Sequence, residues 1–269
     1  MTKPIDPNNE THTIASSMLT QSISVFVIGC GGNGSQMLTG LARIDRGLRA
    51  IGHPSGLDVT AYDFDRVSES NVGRQLFSPS DIGQNKATVL IHRLNCFYGL
   101  NWTARPEKFQ GRNSCNILIT CTDTAASRRE IFKGMENNYL SKYWLDMGNR
   151  SRDGQVILGE LQAQKRLVPV SKRALKSGTN HSVKEELMPR LPHLFDIFPE
   201  LLDEALPEDD TPSCSLAEAL EKQDLFINQT VVTFALDLLW RLFRGPIDRH
   251  GAFINLDSGH VNPLMIRQK

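Results

Sequence analysis

The chain has 269 residues, 40% hydrophobic and 22% charged, with 30 basic side chains against 30 acidic ones. That length fits one large α/β domain, or a domain carrying an insertion. A formal net charge of zero supplies no global field to draw nucleic acid or a membrane surface, and no apolar run approaches the ~20 residues that a membrane-spanning helix needs.

The first residues, MTKPIDPNNETHTIASS, are polar and lack the apolar centre of a secretory signal, so a cytoplasmic protein is expected. Residues 1–22 read as a flexible or loosely docked arm. ISVFVI, residues 23–28, is a continuous apolar run bounded by glycine, the pattern of a buried parallel strand. Residues 34–50 place Met37, Leu38, Leu41, Ile44 and Leu48 at helical spacing. LDVTAYD (57–63) reads as a second strand, 64–80 as a long polar loop, and 84–97 as a helix through Val89, Leu90, Leu94 and Phe97. NILITCT (116–122) is another buried strand, followed by a helix at about 125–138 and a strand YWLDMGN (143–149). Strands alternating with helices predict a Rossmann-like, doubly wound, mostly parallel sheet. GQVILGEL (154–161) reads as an added strand, antiparallel to the rest, which closes a core domain over 23–161.

Residues 162–214 break the alternation and read as a long crossover loop. They hold six prolines, and Asp196 to Asp210 carries seven carboxylates with no Lys or Arg. That run is a solvated loop or a dock for a basic partner. Amphipathic turns are expected around LPHLFDIFPELLDEAL. Residues 215–269 complete the same domain with a long helix and a β-hairpin turning at Ser258-Gly259. The helix face is Phe226, Ile227, Val231, Phe234, Leu238, Leu239 and Leu242. Cys30, Cys96, Cys115, Cys121 and Cys214 form no CxxC pair, and the seven histidines form no ligand cluster. Neither a disulfide framework nor a structural metal is expected.

The stretch VFVIGCGGNGSQ carries the chemistry. Gly29, Gly31 and Gly34 form G-x-G-x-x-G, with Gly32 extra, between a predicted strand and a predicted helix. Bare main chain lets N–H groups reach a ligand, and the helix N-terminus suits phosphate. The plainer reading is a tight strand–helix turn that holds nothing. Asp63 and Asp65 end the second strand, and beyond them lie Asn71, Arg74, Gln75 and Lys86. An acid there fits a ribose hydroxyl. Two cations and two amides exceed what a dinucleotide's pyrophosphate needs and suit a triphosphate whose bonds change. Asp123, at the end of another parallel strand, sits where a Mg²⁺ ligand would.

GxGGxG, then D-F-D, S-N-x-x-R-Q, G-Q-x-K-A and C-T-D stand here in an order that resembles the ThiF/MoeB/HesA superfamily, the adenylating fold shared with ubiquitin-activating enzymes. The match covers roughly 23–160, and the last helix and hairpin more loosely. The tail from Pro212 to Phe243 is similar to ThiF-related proteins of plasmid-borne PRTRC cassettes. The resemblance implies adenylation by ATP of the C-terminal glycine carboxylate of a small ubiquitin-like or sulfur-carrier protein, with Mg²⁺, in a homodimer. It implies that Gly29, Gly31, Gly32 and Gly34 contact the nucleotide, with Asp63, beside Asp65, at the ribose. It places Asn71, Arg74 and Lys86 on the phosphates, Asp123 on the magnesium and Gln75 in support. Arg74 and Lys86 are then the catalytic cations.

Cys214, in TPSCSLAEAL, resembles the catalytic-cysteine segment of ubiquitin-activating enzymes and would accept the acyl group as a thioester. A thiol near a helix N-terminus gains thiolate. It reads equally as a small residue in a turn capped by Ser213 or Ser215. Two departures stand out. No arginine precedes Arg43, where the superfamily often carries one in an N-terminal segment, and the zinc-binding CxxC pairs of many relatives are absent. Two other readings stay open. An NAD(P)-dependent oxidoreductase would use the glycines and Asp63 but gives Arg74, Lys86 and Asp123 no shared role. A non-catalytic nucleotide-binding adaptor in plasmid maintenance would keep the fold without turnover.

Overall fold

The structure, a computed structural model, describes residues 10–135, 141–162, 165–169, 183–187, 190–205, 217, 220 and 222–266. Its centre is β1 (Ile23–Ile28), a strand apolar on both faces. Val25 and Val27 point into one core, and Phe26 and Ile28 into the other. A strand that buries both faces needs neighbours on both edges. β1 pairs in parallel with β2 (Leu57–Tyr62) and with β4 (Ile117–Thr120). β3 (Thr103–Arg105) adds to β2, and β5 (Tyr143–Asn149) adds to β4. β6 (Asp153–Glu160), β9 (Arg249–Asn255) and β10 (His260–Met265) extend the sheet antiparallel. The order β10-β9-β6-β5-β4-β1-β2-β3 contains 3-2-1-4-5 as its parallel part, and it reverses between β1 and β4. Open sheets of this kind bind ligands at the carboxyl ends of the strands flanking such a reversal.

α1 (Gly32–Ala50), α2 (Lys86–Tyr98) and the C-terminal α4 (Ile227–Arg244) cover one face, while α3 (Ala125–Met135) and residues 191–198 cover the other. α2 shows the local logic of its ends. The Asn85 side chain caps it by accepting the Thr88 N–H, and Gly99 stops it in a left-handed conformation. The arm expected to be flexible or loosely docked is docked from residue 10 on. His12 exchanges main-chain hydrogen bonds with Ile247, and Ile14 and Met18 are buried.

The structure differs from the sequence reading in five places. The long helix read from 215 is interrupted at residues 223–226, and α4 itself begins at Ile227. Phe97, read among the apolar positions of α2, is 79% exposed. β3 is a polar edge strand of three residues, too short to leave an apolar pattern. β7 (Lys165–Pro169) and β8 (Val183–Leu187) pair antiparallel inside the stretch read as a crossover loop. Phe226, assigned to the apolar helix face, is the residue before α4 and is 60% exposed. No helix among the described residues is long and apolar enough to cross a membrane.

Candidate nucleotide-binding site

The four glycines of the loop do two different jobs. Gly29 has φ +91°, and a Cβ on it would stand 2.9 Å from the Cys121 carbonyl oxygen. Gly31, the residue before α1, is open to a cavity of about 330 Å³ that Gly29 also lines. Gly32 and Gly34 do not line that cavity. A Cβ on Gly32 would stand 2.6 Å from the Asn228 carboxamide, and one on Gly34 would strike the Gly29 carbonyl. These two let α1 close on α4 and on its own loop. The first turn of α1 has no side-chain cap, which leaves its N–H groups for a ligand.

Asp63 follows β2 and is fixed on both oxygens. Its Oδ2 accepts the Cys30 N–H at 2.6 Å and its Oδ1 the Asp65 N–H at 2.8 Å. Burial pushes its pKa up, against the pull of those two N–H donors and of Lys86. The Asn85 amide donates to the carbonyls of Asp63 and Asp65 and so ties this strand end to α2. Lys86, the first residue of α2, is 9% exposed, and its Nζ stands 3.1 Å from Asp65 Oδ2. Asp63, Asp65, Lys86, Gln75 and Asp123 all line the same cavity as Gly29 and Gly31. Tyr62 and Phe109 supply an apolar wall, packed edge to face at 5.0 Å. Neither aromatic was picked out from sequence, where Phe109 lies in an unpatterned loop.

Asn71 and Arg74 are not part of that wall. Asn71 is buried, and its Oδ1 accepts the Ser68 N–H at 3.0 Å, closing a 3₁₀ turn. Arg74 Nη1 donates to Gln223 Oε1 at 2.6 Å. Burial lowers the Arg74 pKa and the Asp123 carboxylate opposes that, so the guanidinium lies within Coulombic range of the cavity's edge.

A second cavity of about 570 Å³ shares Thr122 and Asp123 with the first and is lined also by Asn33, Arg128, Asn149 and Gln155. Arg128 is 8% exposed. Its Nε donates to Asp146 Oδ2 at 2.9 Å and its Nη2 to the Met147 carbonyl at 3.0 Å. The Thr120 hydroxyl donates to the same Asp146 oxygen and accepts from Trp144 Nε1. The sequence reading missed this pair. Its one signal was Asp146, a carboxylate inside an otherwise apolar strand.

Six buried side-chain polar atoms among the described residues have no hydrogen-bond partner: Asn33 Oδ1, Arg74 Nε, Gln75 Oε1, Thr122 Oγ1, Asp146 Oδ1 and His193 Nδ1. Asn33, Gln75 and Thr122 line the two cavities, Asp146 holds the cavity residue Arg128, and Arg74 lies within Coulombic range of Asp123. A buried group left unpaired costs about 1–3 kcal/mol. Their gathering around the glycine loop is what a site built for a polar ligand shows in the ligand's absence.

The ThiF family model matches residues 15–222. The chain belongs to the ThiF family. Ubiquitin-activating enzyme E1 1 of Schizosaccharomyces pombe is 24% identical over 238 residues, 87% of this chain and 20% of that protein. Among solved structures, selenomethionine PaaA superposes with a TM-score of 0.56 at 13% identity, covering 93% of this chain and 66% of that one. MccB of E. coli, solved with MccA-N7isoASN, gives 0.54 at 14% identity, covering 92% and 65%. The chain thus spans a fifth of the curated relative's length and about two thirds of each solved chain. At these identities the structures establish a shared fold.

Among the described residues of this ThiF-family chain, no three or more His, Cys, Asp or Glu side chains gather as a metal site. Asp123, at the edge shared by the two cavities, is a single carboxylate. Mg²⁺ commonly takes one or two protein carboxylates and fills its remaining positions with phosphate oxygens and water. Asp123 fits that donor set once phosphates are present. Burial pushes the Cys30 and Cys121 thiols well up, and that of Cys115 up to about 12, which leaves them inert. Cys96 is exposed on α2. Cys214 lies outside the described residues.

Proposed function

We propose that the chain binds ATP and Mg²⁺ and adenylates the C-terminal glycine carboxylate of a small ubiquitin-like or sulfur-carrier protein. One observation carries the reading. Lys86 and Asp123 line one cavity with Gly29 and Gly31, and a second, polar cavity opens from the same Asp123. Family membership supports it. In this reading the adenine lies against Tyr62 and Phe109, the ribose meets Asp63, and the phosphates lie over the first turn of α1. Lys86 neutralises them, and Arg74 joins by leaving Gln223. Mg²⁺, when bound, adds positive charge at the phosphates, with Asp123 as the side chain that would hold it.

The carboxylate donor enters through the second cavity, where Arg128 offers a fixed cation. A carboxylate oxygen bonds to the α-phosphorus as the bond to the bridging oxygen breaks, and pyrophosphate leaves with that electron pair. No side chain forms a covalent bond in this step. Positioning and cations suffice. An oxidoreductase reading would leave Lys86 and Asp123 in the cavity without a task. The acyl group then passes to Cys214, whose thiolate would displace AMP and form a thioester. Mass spectrometry of the chain incubated with ATP and a small ubiquitin-like protein that ends in a free glycine carboxylate tests both steps. An AMP adduct on the small protein supports adenylation, and a covalent complex lost in Cys214→Ala supports the thioester. Absence of any ATP-dependent adduct defeats the reading.

A further inference from the structure

We infer that Asn33 reads the last peptide unit of the carboxylate donor, its Oδ1 accepting the main-chain N–H of the donor's C-terminal residue. The inference rests on the adenylation reading and adds a specificity residue to it. Asn33 occupies the first turn of α1, directly after Gly31 and Gly32, and the residue lines the second cavity but not the first. It stands therefore where a donor entering from that side would meet a phosphate lying over the glycines. The residue is 6% exposed, and its Oδ1 is buried without a partner.

Its orientation is set by a chain of amides. Asn33 Nδ2 donates to Asn149 Oδ1 at 2.9 Å, and Asn149 Nδ2 donates to the Arg150 carbonyl at 3.2 Å. Turning Asn33 over would set two amide oxygens against each other. Turning Asn149 as well would set its oxygen against the Arg150 carbonyl. The chain of bonds thus leaves Oδ1 of Asn33 as the atom that must find a donor. On the same cavity wall Arg128 presents a cation held by Asp146. A cation and a fixed acceptor match the end of a peptide, where a carboxylate and an amide N–H belong to one residue. The ligand class is a donor whose C-terminal residue is joined by a secondary amide. N-methylated and proline C-termini are excluded, because neither offers that N–H.

Stable acyl-adenylate analogues test this without knowledge of the natural donor. The probes are 5′-O-sulfamoyladenosine, its N-(acetylglycyl) derivative and its N-(acetylsarcosyl) derivative, which differ at one N–H. Calorimetry on the wild-type chain is expected to give about tenfold tighter binding of the acetylglycyl compound than of the acetylsarcosyl one. Asn33→Leu is expected to erase that preference by weakening the acetylglycyl compound alone. The comparison of the two ligands on wild type stands even if a variant fails to fold. Equal affinity of wild type for the two acyl compounds overturns the inference and leaves the adenylation reading intact. So does an equal loss of both in Asn33→Leu, which marks a purely structural side chain. Failure of the wild type to bind sulfamoyladenosine itself removes the underlying reading and the inference with it.

Discussion

Arg74 Nη1 donates to Gln223 Oε1 at 2.6 Å, and this bond ties the loop after β2 to the segment leading into α4. Gln223 Oε1 also accepts from Asn228 Nδ2 at 3.2 Å, and Asn228 fills the space over Gly32. The guanidinium therefore has a neutral partner, which it would exchange for phosphate under the proposed function. Gln223→Glu turns that partner into a carboxylate, and charge-assisted pairs are roughly twice as strong as neutral ones. ATP affinity is expected to fall about tenfold, with AMP affinity unchanged because AMP lacks the outer phosphates. Calorimetric titrations of both nucleotides check it.

Lys86 is a compact ammonium set by Asp65 at 3.1 Å in a nearly closed position. Lys86→Met is expected to slow ATP–pyrophosphate exchange by ~100-fold or more, on the scale of losing a fixed transition-state donor. Lys86→Arg is expected to stay within about tenfold of that defect, since a planar fork cannot occupy the space of a point charge. Initial exchange rates of the two variants decide this.

Arg128 and Asp146 are buried together, and removal of one leaves the other charged and unpaired. Asp146→Ala is expected to lower stability by about 3 kcal/mol, read from urea unfolding. Replacing both residues with apolar ones of similar volume is expected to recover most of that loss, since the pair itself adds little net stability.

His193 sits 4% exposed among Phe132, Trp144 and Phe195, and burial lowers its pKa from 6.5 to about 4. The folded chain therefore prefers the neutral ring, while the unfolded chain takes up a proton as pH falls below 6.5. Its contribution is complete above that pH and is lost on acidification toward about 4. Stability is expected to drop by about 2 kcal/mol between about pH 8 and about pH 5, and His193→Phe to flatten that part of the profile. Phe198 and Leu201, packed against the same cluster, line the second cavity.

The sheet was legible in the sequence because its strands are short apolar runs bounded by turn residues, as in ISVFVI and NILITCT. The glycine loop and Asp63 were legible because local geometry demands them. Residues whose meaning depends on distant partners were not. Arg128 reads as an ordinary helix residue until Asp146, 18 positions on, turns up beside it. Asn33 fills an unspecified place in the glycine motif, and only its contact with Asn149, 116 positions away, gives it direction. Gln223 acquires a role only where α4 folds back over the loop. Lys165–Pro169 and Val183–Leu187 are strands by pairing with each other, which neither segment announces alone.

The central claim is that one triphosphate lies over Gly29 and Gly31 and is cleaved between its α- and β-phosphates by an incoming carboxylate. ATP–pyrophosphate exchange measures that step directly, with labelled pyrophosphate and a small ubiquitin-like protein that ends in glycine. The account predicts label appearing in ATP only when the small protein carries its free C-terminal carboxylate, and not when that terminus is amidated. Label that fails to enter ATP with the intact small protein, while an NAD(P) titration shows tight binding, would contradict it.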